Sequence, residues 1–272
     1  MGYGFRAGFL GLLHLEITKE RLEREYNLEL VITSPSVAYV VQTTSGVESV
    51  VKSALELPRE EQIKVISEPI MSLDIVTPAS YVGQVMTLAQ DSRATWINTD
   101  YLTGSSGSPE RAILHYRIPL SEILYDFYDR LKSVSQGYAS LNYDFLEYRP
   151  CEVKKMNIII ADQVVEALTS IVYADEAYAR GRYLVTKLKE VIPKQMFEIK
   201  IQAALGGKVI ASDRISAMRK DVLKRANSGG DVTRKRKLLE KQKKGKKRMR
   251  AEGQVDIPSE AYLSILSREP KK

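Results

Sequence analysis

The chain has 272 residues, 44% of them hydrophobic, and a formal net charge of +7. This length accommodates two small domains with their own cores, and the composition is that of a folded protein. No run of 18 or more uncharged apolar residues occurs and no signal-peptide pattern opens the chain, so we expect a soluble, cytoplasmic protein. The single cysteine, Cys151, excludes an intrachain disulfide and a cysteine-based zinc site.

The positive charge is concentrated in one part of the chain. Residues 208–250, which we call the basic tail, contain 17 Lys and Arg against four acidic residues. The rest of the chain has 24 Lys and Arg against 30 Asp and Glu, so it is acidic on balance. The partner of the tail is therefore expected to be a polyanion.

The first predicted elements are a helix and a strand. Residues 8–26 have helical spacing, with Leu15, Leu22 and Tyr26 on one side, and residues 28–41 are typical of a strand. These elements are too few to bury a core alone, so residues 1–45 are predicted to be the end of a larger domain. Residues 46–67 have no sustained period and are predicted to be a connector.

Residues 68–150 carry the pattern of a ferredoxin-like split βαβ domain. Met71, Leu73 and Ile75 alternate with polar residues, and a helical pattern beginning at Val82 follows them. The remaining strands and one further helix are predicted over 96–101, 112–118, 123–131 and 139–145. The order strand, helix, strand, strand, helix, strand defines this domain type.

Residues 151–272 are predicted to form a second α+β domain with a basic C-terminal helix. Its predicted strand, helix and strand lie over 156–160, 176–191 and 197–201. The helix stops before Pro193. The predicted fold class of the whole chain is therefore α+β.

Motifs for nucleotide chemistry are not found in the sequence. Gly2-Tyr-Gly4-Phe-Arg-Ala7 has the letters of the dinucleotide fingerprint, but no strand precedes it, and we interpret it as a flexible hinge. Gly206-Gly207-Lys208 has Val209 where a P-loop needs a hydroxyl group. The chain is therefore not expected to hydrolyse GTP alone, and no cofactor, metal or small-molecule substrate is predicted for it.

The titratable residues suggest no catalytic constellation. The carboxylate pairs Glu60-Glu61 and Asp126 with Asp129 lie among charged neighbours, which is typical of a solvated surface. His14 and His115 are interpreted as packed, hydrogen-bonded core or interface histidines rather than as catalysts.

The basic tail is the strongest functional signal. Dense like charge repels itself in water, whereas a nucleic-acid backbone offsets the repulsion and releases counterions on binding. The tail has no aromatic residue, which favours backbone and shape contacts with structured RNA over base stacking. The predicted RNA-binding residues are Lys208, Lys220, Lys224, Arg225, Arg234, Lys235, Arg236, Lys237, Lys241, Lys243, Lys244, Lys246, Lys247 and Arg248.

Three other interpretations of the tail stay open. It is a merely solvated surface, it captures substrate for a stand-alone RNA-processing enzyme, or it makes weak peripheral contact with the anionic inner face of the cell membrane. The membrane interpretation is weakened because the tail lacks the broad apolar side of an interfacial helix.

Several segments resemble the elongation factor 4 (LepA) family of translational GTPases. Gly4-Phe-Arg-Ala-Gly-Phe-Leu-Gly-Leu-Leu-His-Leu-Glu-Ile17 is similar to the end of domain III of that family, and Asp129-Arg-Leu-Lys-Ser-Val-Ser-Gln-Gly-Tyr-Ala-Ser-Leu141 to its domain V. Ile192-Pro-Lys-Gln-Met-Phe197 and Gly229-Gly-Asp-Val-Thr-Arg-Lys-Arg-Lys-Leu238 are similar to its C-terminal domain. Ala7, where the family usually has cysteine, departs from the pattern.

The resemblance implies the end of domain III, domain V and the family's own C-terminal domain, with the ribosome and tRNA as partners. It also implies action on the elongating ribosome, in back-translocation or fidelity. GTP hydrolysis, with magnesium, would belong to an N-terminal domain preceding Met1.

Overall fold

The structure, a computed structural model, describes part of the chain. The described residues are 7, 9, 12–28, 30, 37–103, 109–218, 236–237, 239–245, 255, 257–258 and 261–262. They form an α+β fold with two antiparallel sheets and several helices, which confirms the predicted fold class.

The contacts divide the chain into two compact units. The described residues of the first, which we call the ferredoxin-like unit, lie within Ser34–Lys155 and Ser170–Asp175. The second unit comprises Met1–Thr33, Met156–Thr169 and Glu176–Ile265.

The ferredoxin-like unit begins with a hairpin. Strand β1 (Tyr39–Thr43) pairs with β2 (Glu48–Val51) and also with the first residues of β3 (Ile63–Pro78). The segment predicted to be a connector therefore contains β2 and the start of β3. The sequence pattern did not reveal β2 because only its last residue, Val51, is buried. Of the strand predicted over 28–41, residues 39–41 lie in β1, whereas 29 and 31–36 lie outside the described residues.

The predicted split βαβ order is present. After β3 come α2 (Val82–Asp91), β4 (Thr95–Thr103), β5 (Pro109–Pro119), α3 (Leu120–Glu122), a π-helical turn (Ile123–Phe127), α4 (Tyr128–Val134) and β6 (Ser140–Pro150). In space the four strands lie in the order β6, β3, β5, β4, and every neighbouring pair is antiparallel. This is the ferredoxin-like arrangement.

The helices of this unit cover one face of the sheet. Period two places Leu73 and Ile75 of β3 on the same face as Leu114 of β5, and all three are fully buried. Phe127 and Leu131, from the second helical segment, pack in the same cluster. Burial stabilises the fold by about 1.5–3 kcal/mol for each aliphatic or aromatic side chain of this size.

The second sheet has the strand order β11, β10, β7, β8, and β9 also pairs with β7. The elements of this region are β7 (Val153–Ile160), β8 (Gln163–Val164), β9 (Ser170–Tyr173), α5 (Ala177–Val191), β10 (Ile199–Leu205) and β11 (Lys208–Ile215). The predicted strand, helix and strand correspond to β7, α5 and β10. The sequence did not predict β8 and β9, which are short, or β11, which contains charged residues on both faces.

Helix α5 lies unusually close to its sheet at Gly181. A Cβ atom at this position would lie 3.1 Å from Ala203 Cβ and 3.0 Å from Ile210 Cδ1. The absence of a side chain at Gly181 therefore sets how closely the helix approaches β10 and β11.

The N-terminal helix, α1 (Leu12–Tyr26), starts later than predicted, since Phe9 is described and is not helical. Ion pairs one turn apart, such as Arg21 with Glu25 at 3.1 Å, lie on its exposed surface. Tyr26, predicted to lie on the apolar side, is exposed. None of the described helices is long and apolar enough to span a membrane.

Candidate nucleic-acid interface

Lys208, the first predicted RNA-binding residue, lies at the tip of a hairpin. Gly206 and Gly207 form the two-residue loop between β10 and β11, and both have positive φ (52° and 87°), which a two-residue primed turn requires. Lys208 follows the loop, pairs with Leu205 and is exposed. The local sequence thus projects one cation from the end of the second sheet.

The described part of the tail beyond β11 is helical at residues 236–237 and 239–245, as the sequence predicted. All five of its described basic residues are exposed, namely Arg236, Lys237, Lys241, Lys243 and Lys244. Glu240 lies one turn from Arg236, at 3.4 Å, and is the only acidic residue of this stretch. Leu239 is also exposed. This helix therefore presents mainly positive charge to its surroundings.

The other predicted RNA-binding residues lie outside the described part of the chain. They are Lys220, Lys224, Arg225, Arg234, Lys235, Lys246, Lys247 and Arg248.

Two cations of α5, which lie outside the basic tail, have acidic neighbours within hydrogen-bond distance. Lys189 lies 2.9 Å from Asp213, and Lys187 lies 3.0 Å from Glu190. The Lys189 ammonium group, followed by the backbone N–H of Arg214, lowers the pKa of Asp213. These charges are locally compensated, so they attract a polyanion less than the tail does.

The two histidines occupy different environments from each other. His14 is exposed on α1 and meets Phe9 edge-on, with ring centroids 5.6 Å apart, so it is not a core histidine, and its role at an interface stays a prediction. His115 is hydrogen-bonded, with Nδ1 2.6 Å from Asp74 Oδ1 and Nε2 3.3 Å from Asp100 Oδ2. The hydrogen bond to Asp74 is the main cause that raises the pKa of His115.

A buried polar cluster in the ferredoxin-like unit was not foreseen. The hydroxyl group of Tyr173, on β9, donates a hydrogen bond to the Glu68 carboxylate, and the hydroxyl oxygen of Ser121 lies 2.9 Å from that of Tyr173. The guanidinium group of Arg93 stacks 4.0 Å from the Tyr173 ring centroid and binds Asp175. Burial raises the pKa values of both Glu68 and Tyr173. Only β9, too short to give a sequence pattern, brings these residues together.

The thiol of Cys151 lies beside this cluster. Burial, and next the negative charge of Glu68, raises its pKa to about 12. It is therefore a protonated, weakly nucleophilic thiol at neutral pH. The described residues contain no group of three or more His, Cys, Asp or Glu placed to hold a metal ion.

Comparison with known families accounts for most of the chain. Residues 65–159 match the family model described as "Elongation factor G C-terminus", and residues 160–267 match "GTP-binding protein LepA C-terminus". Together with the ferredoxin-like order of β3 to β6, these matches define the class of the protein: its domains are those of the C-terminal regions of translation elongation factors.

Individual relatives agree with this class. The chain is 52% identical to "Elongation factor 4" of a Thermus thermophilus strain over 274 aligned residues, covering 100% of this chain and 44% of the relative. It is 48% identical to the protein of the same name from Symbiobacterium thermophilum and 49% identical to that from Clostridium acetobutylicum, in each case over 99% of this chain and 44% of the relative. The chain belongs to the elongation factor 4 (LepA) family, as its sequence motifs predicted. It spans less than half the length of these relatives.

Proposed function

We propose that this chain is a ribosome-binding part of its factor and that the basic tail binds the phosphates of ribosomal RNA and tRNA. The observation that supports the proposal most directly is the exposure of all five described cations over residues 236–244. Each cation that replaces condensed counterions on a phosphate adds to affinity and to its salt dependence. The alternative of a stand-alone RNA-processing enzyme is not favoured by the family to which the chain belongs.

Sedimentation with 70S ribosomes over a salt series tests the proposal. Reversing four charges together, by Arg234→Glu, Lys235→Glu, Arg236→Glu and Lys237→Glu, should weaken ribosome binding. The logarithm of the binding constant decreases linearly with the logarithm of the salt concentration, by about 0.9 for each phosphate of a duplex that a cation contacts. If each of the four cations contacts one phosphate, the variant should therefore have a slope that is shallower by about 3.6.

A matched control reverses four exposed cations outside the tail, by Lys64→Glu, Arg111→Glu, Lys154→Glu and Lys194→Glu. This control changes the net charge equally and should retain most of the binding. Equal losses in the two variants would contradict a specific role for the tail. Complete competition by duplex DNA would show that the tail binds any polyanion and would also contradict the proposal.

We infer that the domains follow the sequence prediction, with the end of domain III over 1–45, domain V over 68–150 and the family's C-terminal domain over 151–272. The meeting of the two family matches at residues 159 and 160 supports a boundary in this part of the chain. Limited proteolysis followed by mass spectrometry tests the division. Cleavage concentrated inside 68–150 would contradict it.

We also propose that GTP hydrolysis with magnesium, and action on the elongating ribosome in back-translocation or fidelity, are activities of the complete factor. The residues of this chain do not fit a GTP–magnesium site, because the P-loop motif is missing and the described residues hold no group of candidate metal ligands.

Contact of the tail with an anionic membrane is proposed as a weak secondary property. Flotation with anionic vesicles tests it, and pelleting of the protein away from them would contradict it.

A further inference from the structure

We propose that the outer edge of β6 binds an extended, basic segment of a partner protein, which adds to the sheet as a further strand. The partner in this case is a protein, whereas the basic tail is proposed to bind RNA. The two binding functions would use surfaces of opposite charge.

Strand β6 is an open edge. Among the described elements it pairs only with β3, and nine of its eleven residues are exposed. Exposed N–H and C=O groups along such an edge form a template for another chain. Proteins commonly protect long edges with charged side chains, above all lysine, with bulges or with a proline within the strand. Strand β6 has three charged residues and one bulge, but it has no lysine and its only proline, Pro150, is the last residue. The edge is thus open to strand addition.

The pairing register identifies backbone groups that point outward. Tyr148 lies opposite Pro69, which has no N–H to donate, so this position is a non-hydrogen-bonded pair of the ladder. The N–H and C=O of Tyr148 therefore face away from β3. Hydrogen-bonded and non-hydrogen-bonded pairs alternate from one residue to the next in an antiparallel ladder. Cys151, three residues after Tyr148, should therefore be hydrogen-bonded to β3, and its N–H does donate to Ile66 C=O at 2.9 Å.

Aromatic side chains line the same strand. Tyr143, Phe145 and Tyr148 are 39%, 57% and 42% exposed, and the rings of Phe145 and Tyr148 lie 5.4 Å apart. A register shift opposite Ile70 and Met71 makes a bulge at Leu146, and bulges of this kind re-aim side chains. Aromatic faces bind the aliphatic stems and the cationic heads of lysine and arginine.

The charges around this edge favour a basic partner. The exposed acidic residues are Asp129 of α4 and Asp144 and Glu147 of β6. Two cations lie nearby: Arg149 is 3.0 Å from Glu147 and compensates it, and Lys132 donates to the carbonyl groups of Gly137 and Ala139. These five groups carry a net charge of −1, which favours lysine or arginine over the phosphates of RNA. An extended segment in which basic and apolar residues alternate fits both the charges and the aromatic row.

The test uses this whole chain and a labelled ten-residue peptide in which lysine and valine alternate. Fluorescence anisotropy should show saturable binding of this peptide and none of the peptide in which glutamate replaces lysine. Tyr148→Pro should bind the basic peptide about tenfold more weakly than Tyr148→Ala. Both variants lack the aromatic ring, but only the proline variant lacks the outward N–H. Loss of one hydrogen bond typically lowers affinity by about this factor. The double variant Asp144→Lys with Glu147→Lys should also weaken binding of the basic peptide. It tests the charge of the edge alone, because it keeps every backbone N–H group of β6.

Several outcomes would overturn the proposal. They are equal binding by Tyr148→Pro and Tyr148→Ala, equal binding of the acidic peptide, RNA binding that Tyr148→Pro abolishes, or a dimer in analytical ultracentrifugation that the same substitution dissociates. The last two would assign the edge to RNA or to a second copy of the chain. Since the peptide assay contains no ribosomes, its failure would leave the proposal for the tail intact.

Discussion

His115 is a residue whose charge is controlled by two neighbouring carboxylates. It lies on the face of the first sheet opposite the helices, between carboxylates of β3 and β4. A protonated imidazole can donate to both Asp74 and Asp100, whereas a neutral one can donate to only one of them. The two carboxylates therefore favour the protonated form.

Asp74→Asn should lower the pKa of His115, because it removes the strongest of these interactions. The raised pKa contributes stability that is fully present below the unfolded value of about 6.5 and is lost as pH rises through the folded value. Asp74→Asn should consequently destabilise the chain more at pH 5.5 than at pH 9. NMR titration of the imidazole protons measures the shift, and Asp144→Asn is the control; an unchanged His115 pKa would contradict the assignment.

Tyr173→Phe should destabilise the chain by about 1–3 kcal/mol, because it leaves a buried carboxylate without its hydroxyl donor. Burial already raises the pKa of Glu68, and loss of the hydrogen bond should raise it further. A raised folded pKa of an acid lowers stability as pH rises from about 4.3 upward, so the loss should be larger at pH 7 than at pH 4. Urea unfolding measures it, with the exposed Tyr178→Phe as control. A loss independent of pH would show that Glu68 is not the group affected.

The close packing of α5 against β10 and β11 depends on the absence of a Cβ atom at Gly181. Gly181→Ala should gain up to about 1 kcal/mol of helix propensity, yet it forces a Cβ against the rigid Ala203 Cβ, and such overpacking costs about 1–3 kcal/mol. We expect a net loss of stability of up to about 2 kcal/mol.

The matched control is Gly83→Ala in α2, where a Cβ atom would meet nothing within 4 Å. This substitution should stabilise the chain by up to about 1 kcal/mol. Thermal unfolding of both variants measures the difference. The same sign of change in the two would show that close helix–sheet packing does not control the effect.

The elements also show how far sequence patterns reach. Alternation predicted β3 and β5 because their alternate residues are buried under helices. Tyr143 and Phe145 of β6 follow the same alternation, but both are exposed, because β6 lies at the edge of the sheet. The alternation of apolar residues in a strand predicts which residues share a face of the sheet. It does not predict whether another element covers that face. For the same reason, no pattern revealed the cluster around Glu68, which depends on β9.

At the scale of the whole molecule, the charges are separated along the chain. The basic tail carries an excess of 13 positive charges, whereas the remainder carries an excess of six negative charges. The sequence alone predicted this separation and the candidate RNA-binding residues, since charge can be counted without a fold. It could not predict the exposed acidic edge at β6, because that surface depends on which strand ends the sheet. The salt dependence of ribosome binding should thus follow changes in the tail, and the binding of basic peptides should follow changes in β6.

The environment of Cys151 has a practical consequence for measuring these interactions. It is the only cysteine in the chain, and the raised pKa keeps it from forming the thiolate that reacts with maleimides and iodoacetamides. A cysteine introduced on the exposed hairpin at Lys208, or on the edge strand at Asn142, would therefore react far faster than the native one. Site-specific fluorophores and cross-linkers can then be attached to either surface of the unaltered background sequence, and the distance from each surface to a bound partner can be measured separately.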